Sequence, residues 1–572
     1  MRKITRMETQ QTSNEELTLR SPASVMRLAR MGSFHQCRLS FMRTVLRRLQ
    51  RQAWTFERPV FEIDADGVGV AVYTARGPER AYSLICYAHD LPDDQRSDRV
   101  IAEAWDATFT LFDGVPDRAD IERLSHHVPK QEAGRITEKE LVLCRANRSV
   151  RLFGHVIERL AAGQQPDAEQ IRSVGYLMRT TAVYGSGKFG AADRELICDR
   201  PEFAGPFQAE LLAVYLVRAF TVDIVEHLAR IRSPQTAVKI APELRRAIGV
   251  GNSTGLGMAP YLISHPVLLN NWIATRETAL ARVLALPSAS AAEAEVFRVM
   301  LARASINAAD WHSVHPLQIE KLALLRADLE KLTAHTAEAD LQNDRPWQRF
   351  LDWTVEHCSL EGQEQIVSLL LEPHGALVDD LVDTMGADED AVFRIDGAMP
   401  VERLRAILAD TYGWALDIAW QDRESIARVW YISEEKLEPR LGERFEEPIE
   451  AYEQPLAPGR DVAALHGALV QWAGEPVTAA FLLAHPEHRA AVRRAQIAAK
   501  LPYAEIRDNT ISSELLPIDM LRCKLSFFGA THFDPRSDRW VRINMYRGAP
   551  FPDELSNAGD DDWSYPPLGK EA

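Results

Sequence analysis

The sequence predicts a predominantly helical α+β protein, a large helical core with small antiparallel sheet elements drawn from the N- and C-terminal thirds. Three observations lead there. Residues 57–90 hold three β-rich runs, PVFEIDADG, VGVAVYTARG and RAYSLICYAHD, separated by Asp-Gly and Gly-Pro. Such punctuation between β-branched and aromatic runs marks a meander. From about Val100 to Leu332, apolar residues recur at helical spacing. Strand-like runs return after residue 390, in FRIDG, ESIARVWYIS, KLSFFGATHF and RWVRINMYRG.

Composition sets the outer bounds. Of 572 residues, 46 % are apolar and 26 % charged, the balance of a globular chain that can bury a large core. The net charge of −16 argues against a nucleic-acid coat or a basic membrane-surface protein. No window of 18 residues is apolar and free of charge, so no membrane span is expected. The six cysteines are scattered, none within four residues of another, which fits a reducing, cytoplasmic setting and excludes a CxxC zinc pair.

Residues 1–52 form the first unit, a basic segment and helix. They carry eleven Lys and Arg against three acids, a local charge of +8 that leaves −24 on the remainder. Val25, Leu28, Met31, Leu39, Met42, Val45, Leu46 and Leu49 predict a helix over 22–52 with arginines between them. Its simplest use is to dock on the chain's own acidic body. A partner contact or a targeting helix are the rivals.

Residues 53–95 read as the antiparallel meander, and 96–384 as a helical core carrying two glycine-rich loops. Amphipathic stretches at 100–112, 117–125, 136–162, 167–183, 206–232, 260–286 and 291–305 are the expected helices. Residues 385–550 read as mixed α/β, with a helix from about Pro400, strands on either side of it, a Pro-rich connector and a helical pair over 461–500. Residues 551–572 read as a mobile acidic tail.

The first loop is Tyr184-Gly185-Ser-Gly187-Lys188-Phe-Gly190, with Arg179, Thr180 and Thr181 on the segment before it. Glycines let backbone N–H groups approach a ligand, and a lysine between them adds a point charge suited to phosphate or carboxylate. Phe189 follows the lysine, so the P-loop pattern is absent. The second loop runs from Gly249 through Gly251, Asn252, Ser253, Thr254 and Gly255 to Gly257, four glycines in nine residues. It leads toward a helix with Pro260 near its first turn. A polar, glycine-rich loop before a helix N-terminus is suited to an anion. Its spacing misses the dinucleotide fingerprint, and no hydrophobic strand is legible before it.

These residues make the predicted site. Lys188, Tyr184, His265 and His227 are the candidates for catalysis. Arg179, Thr180, Thr181, Gly185, Gly187, Gly190, Gly251, Asn252, Ser253, Thr254, Gly255, Gly257, Asn270 and Asn271 are the candidates for binding. His265 precedes Pro266 at a helix break, and the two asparagines sit between apolar neighbours. Asp223 and His227, four residues apart, share a helix face and form an acid–base candidate. Weaker candidates are Trp430–Arg440 and the group Arg522, Cys523, Lys524, His532 and Asp534. No metal site is predicted, because HExxH and paired ExxH patterns are missing and Pro316 and Pro486 interrupt the paired histidines.

The expectation is a cytoplasmic enzyme acting on a small anionic substrate or using a phosphorylated cofactor. Neither the reaction nor the identity of a cofactor is derivable. The expected partner is a small-molecule anion, with no nucleic acid and no membrane, and a homo-oligomer is compatible. The rival classes are a scaffold that uses the basic N-terminal helix and a ligand-sensing regulator.

Overall fold

The computed structural model describes residues 17–92, 104–129, 137–181, 197, 199–252, 265–312, 316–386, 393–422, 431–433, 439–440, 453–455, 459–507, 522–530, 532–535 and 541–558. It is a mixed α+β structure organised around one nine-stranded sheet. The strands are β1 (Thr55–Ile63), β2 (Gly69–Arg76), β3 (Ala81–Ala88), β4 (Ala107–Asp113), β5 (Glu140–Arg148), β6 (Tyr176–Thr180) and β7 (Gly249–Asn252). Three short strands, β8 (Tyr431–Ser433), β9 (Pro439–Arg440) and β10 (Glu453–Pro455), form a separate small sheet. β11 (His532–Pro535) and β12 (Val541–Met545) complete the large one, whose order is β1-β2-β3-β4-β5-β6-β7-β12-β11.

The meander at 55–88 forms as expected, and the end of the chain joins the same sheet through the β7–β12 pair. The sheet is larger than the sequence suggested. Stretches expected as helix over 100–112, 136–162 and 167–183 contribute β4, β5 and β6, and the start of the second glycine-rich run contributes β7. The cause is burial. β4 to β7 are covered on both faces, so they lack the alternation that reveals a half-exposed strand.

Two layers of helix cover the sheet. The main helices up to the sheet crossover are α1 (Phe41–Arg51), α2 (Arg118–Ser125), α3 (Phe153–Ala161), α4 (Ala168–Val174) and α5 (Gln208–Arg232). α5 packs on one face, with Phe220 against Tyr73 and Phe109. On the opposite face, Leu124 of α2 and Val128 meet Val72, Ile85, Tyr87 and Phe112.

A helical body follows, with α6 (Pro266–Leu284), α7 (Ala291–Ala309), α8 (Pro316–Glu338), α9 (Pro346–His357) and α10 (Leu360–Leu369). Then come α11 (Val401–Leu416), α12 (Gly459–Gln471), α13 (Thr478–Ala484) and α14 (Arg489–Lys500), which enclose their own apolar cluster around Leu404, Leu408, Tyr412, Leu465, Phe481 and Val492. The strands expected on either side of the helix from Pro400 do not form among residues 393–396 and 415–420, and KLSFF closes a buried π-helical turn instead of a strand. No helix among the described residues is long and apolar enough to cross a membrane.

The basic segment is broken, not one helix over 22–52. A single turn at Pro22–Val25 and a 3-10 turn at Leu28–Arg30 precede a stretch of bends and turns and then α1. The reason is its partners. Arg20 meets Glu277 at 2.8 Å and Glu364 at 3.2 Å, and Arg30 meets Glu364 at 3.0 Å. Arg43 forks onto Glu372 at 2.6 and 2.8 Å, and His35 meets the same carboxylate at 2.7 Å. Arg38 and Arg51 reach Asp379 at 2.8 and 2.6 Å. A bidentate guanidinium–carboxylate pair out of water is strong only where its geometry is met, so the chain bends to meet it. Arg20, Arg30, Arg38, Arg43 and Arg51 thus dock on the chain's own acids.

Candidate functional site

β6 and β7 are parallel neighbours inside an otherwise antiparallel sheet, with Arg179 opposite Gly251 and Thr180 opposite Asn252. Their carboxyl ends therefore lie side by side at one edge of the sheet. The chain leaves β6 at Thr181 toward the first glycine-rich run and β7 at Asn252 toward the second. In sheets with parallel strands, ligands bind outside such carboxyl ends. β11 pairs antiparallel with β12, as does β7, so β11 runs in this direction too.

Strand alternation divides the polar residues that the sequence grouped together. Arg179 belongs to a strand, not to a helical turn, and so do Thr180 and Asn252. Thr180 and Asn252 share the α5 face with Cys144 and Ala146. Thr180 is hydrogen-bonded to the Cys144 thiol there, and both polar residues are fully buried. Arg179 and Thr181 occupy the other face, where the Thr181 hydroxyl accepts from the Arg145 amide at 3.2 Å.

On that second face β7 presents no side chains, because Gly249 and Gly251 alternate onto it. The space is not empty. A Cβ on Gly251 would stand 2.9 Å from both the Arg179 Cγ and the Tyr176 ring. A Cβ on Gly249 would stand 2.5 Å from the Met545 carbonyl and 3.1 Å from the Arg547 Cβ. These two glycines serve close packing: they let Tyr176, Arg179 and Arg547 lie against β7. A bulge between Tyr176 and Arg179 puts both on this side.

Arg547 also reaches back over the start of β6, with Nη1 3.5 Å from the Cβ position of Gly175. Gly175 closes α4 in the left-handed region at φ 74°. The Asn544 Nδ2 crosses to the Val174 carbonyl at 3.3 Å. Burial lowers the Arg547 pKa to about 10, Asp310 opposes this and nearby Arg172 adds to it. It remains a cation at neutral pH. Arg172 lies in the last turn of α4, and its Nε is buried with no hydrogen-bond partner among the described residues. Arg179 and Arg547 thus lie on the glycine face of β7, at Gly251 and Gly249 respectively.

The same cross-strand row continues past Arg179. Asn147 stands opposite Arg179, and the Asn147 Oδ1 accepts from the Asp106 amide at 3.0 Å. His89 follows beside Asp106, with Nε2 3.1 Å from the Thr108 hydroxyl. Burial lowers the His89 pKa, against the pull of Asp106 and with the help of Arg148. Sequence reasoning missed Asn544, Arg547, Asn147 and His89, since only strand pairing brings their segments into one sheet.

The remaining candidates lie elsewhere or are already bonded. The His227 Nε2 is 2.8 Å from the carbonyl of Ile63 in edge strand β1, five strands from β6, or about 24 Å at the usual strand spacing. Asp223 does not pair with His227, but bonds Arg58 and Tyr73, each at 2.7 Å. The Asn270 Oδ1 accepts from the Tyr503 amide at 3.0 Å, and its Nδ2 donates to the Asn271 Oδ1 at 3.2 Å. Asn270 therefore fixes α6 to the segment after α14. His265 caps α6. The Cys523 thiol is buried and donates to the Met31 carbonyl at 3.5 Å. Tyr184, Gly185, Gly187, Lys188, Gly190, Ser253, Thr254, Gly255 and Gly257 lie outside the described residues, as does most of 430–440. Among the described residues, no group of three or more His, Cys, Asp or Glu is placed to hold a metal.

No family model, curated protein or solved structure matches this chain.

Proposed function

We propose that the protein is an enzyme that binds a small anionic substrate or a phosphorylated cofactor at the carboxyl ends of β6 and β7. The observation that carries this reading is the parallel pairing of those two strands. It makes two glycine-rich runs, 185–190 and 253–257, continue from adjacent strand ends. Arg179, packed on Gly251 near these ends, adds positive charge on one face, in a chain whose net charge is −16. Concentrated cationic charge in a low-dielectric setting favours a bound anion.

In this reading Lys188, Ser253 and Thr254 contact the anion and Arg179 positions it, while Asn252, buried on the α5 face, holds the strand end. His227 is too distant to serve, which leaves His265 as the proton-transfer candidate from the sequence and adds His89.

Native mass spectrometry of the purified protein should detect a retained small anion. Arg179→Gln and Lys188→Ala should each reduce that retention, and inorganic phosphate should raise the thermal unfolding midpoint of the wild type more than that of either variant. Equal retention and equal phosphate shifts in all three proteins would reject the site.

A further inference from the structure

A small open cleft of about 360 Å³ lies where the turn between β2 and β3 meets the C-terminal end of α1. Trp54, Pro78 and Pro201 form its walls, and each wall is fixed in place. The Gly77 amide donates to the Arg80 carbonyl at 2.8 Å, which closes the turn that carries Pro78. The Trp54 ring lies against that turn, since a Cβ on Gly77 would stand 2.5 Å from it. The ring is parallel to that of Tyr82 within 11°, and its Nε1 donates to the Gln52 Oε1 at 2.9 Å. Pro201 opens a 3-10 turn that Arg48 holds by donating to the Glu202 carbonyl at 2.7 Å. The charges at the rim are paired. Arg80 lies 3.4 Å from Glu202 and 3.7 Å from Glu79, and the Glu202 carboxylate also accepts from the Tyr82 hydroxyl. The cleft therefore offers rigid rings more than charge, at a size that suits one or two rings of a ligand.

The chain itself supplies such rings nearby. Gln50, two residues before Gln52 at the end of α1, donates its Nε2 to the carbonyl of Ala558. From Gly559 to Leu568 the sequence reads Gly-Asp-Asp-Asp-Trp-Ser-Tyr-Pro-Pro-Leu. Proline fixes its own φ and confines the residue before it to extended backbone, so Tyr565-Pro566-Pro567 favours polyproline II. Segments of that kind bind in grooves walled by aromatic rings and lose little entropy on binding. The residues from Ala558 to Pro566 reach up to about 25 Å at the rise of polyproline II, ample for a cleft that begins two residues along the chain from Gln50.

We propose that the cleft walled by Trp54, Pro78 and Pro201 is a docking site for the chain's own Tyr565-Pro566-Pro567, with the proline rings set against the indole. The short tether from Ala558 keeps the segment at millimolar effective concentration, so weak contacts suffice to hold it. The site is separate from the carboxyl ends of β6 and β7. Ala88, at the end of β3, shares a cross-strand row with Ala107, Ala146 and Thr180, and the cleft lies at the other end of β3. Its failure would leave the anion reading untouched.

The test uses the full chain with one cysteine at the rim of the cleft, Glu79→Cys, and one before the prolines, Ser564→Cys. Glu79 is exposed, and the native cysteines among the described residues are buried. Disulfide formation between the two, driven by oxidised glutathione, is followed over time by mass spectrometry. It should be at least roughly tenfold faster than in the same chain carrying Pro566→Ser and Pro567→Ser, because docking adds to the proximity that the tether alone gives. A free peptide of residues 563–568 at millimolar concentration should slow it toward the rate of the serine variant. Glu330→Cys, at an exposed position on α8, should cross-link slowly to Ser564→Cys with or without the prolines. A rate that the serine substitutions leave unchanged, or that the peptide does not slow, overturns the docking. Cross-linking of Glu330→Cys as fast as that of Glu79→Cys overturns it as well.

Discussion

Replacing Glu372 by glutamine tests how the basic segment is held. This carboxylate is buried between the bidentate Arg43 and His35. Burial alone would raise its pKa, yet the Arg43 guanidinium and the His35 hydrogen bond hold it at about 2, against an ordinary 4.5. At 1.36 kcal/mol per pKa unit, the ionised form stabilises the fold by about 3 kcal/mol at neutral pH. An independent estimate agrees, because breaking one side of a buried ion pair costs about 3–5 kcal/mol.

The sign follows from a depressed folded pKa. The contribution is complete above pH 4.5 and is lost as the pH falls toward 2. Urea unfolding followed by tryptophan fluorescence should give Glu372→Gln a midpoint lower by roughly 0.5–1 M at pH 7, since the urea dependence is steep for a chain of this size. The gap between wild type and variant should shrink to about 2 kcal/mol at pH 3.5. A midpoint within roughly 0.3 M of wild type at pH 7 would show that the segment is not anchored by this pair. A gap that stays constant down to pH 3.5 would show that Glu372 is not the ionised partner.

Two further outcomes follow from the geometry. Gly251→Ala should cost about 1–3 kcal/mol by overpacking against Tyr176 and Arg179; because it displaces Arg179, phosphate affinity should fall with the thermal midpoint, and an unchanged affinity would place the anion away from β7. Arg218→Met should lower the thermal midpoint by several degrees. Its guanidinium bonds the carbonyls of Ile248, Ala549 and Arg246 at 2.7, 2.8 and 3.1 Å and stacks on Phe551, so three acceptors lose their donor, each costing about 1–3 kcal/mol if buried. Limited proteolysis should then cut the segment after Met545 sooner than in the wild type, and identical cleavage would argue against the clamp.

Some of this architecture was readable in the sequence. The helices at 208–232, 266–284, 291–309 and 401–416 follow from apolar periodicity. The meander over 55–88 follows from β-rich runs and turn residues, because β1 keeps an exposed face and short turns. β4, β5 and β6 were hidden because both their faces are buried, and Tyr176–Thr180 could not be told from the end of the preceding helix. Gly249–Asn252 has little intrinsic strand preference. It is a strand because β6 and β12 supply hydrogen bonds on both sides and because Tyr176 and Arg547 need its missing side chains.

The sequence by itself determined that a +8 segment precedes a −24 body, that two glycine-rich runs stand in a largely helical region, and which residue types could hold an anion. Only the tertiary structure decided what each of these meets. Arg20 finds Glu277 and Glu364, more than 250 residues away, because helices α6 and α10 converge on it. The strands leading to the two runs are neighbours because a parallel crossover through α5 returns the chain beside β6. Arg547, from the far end of the chain, lies against Gly249 because β12 pairs with β7. Composition and periodicity report on each residue's own surroundings along the chain. Pairing between distant segments depends on register and burial, which no local pattern encodes.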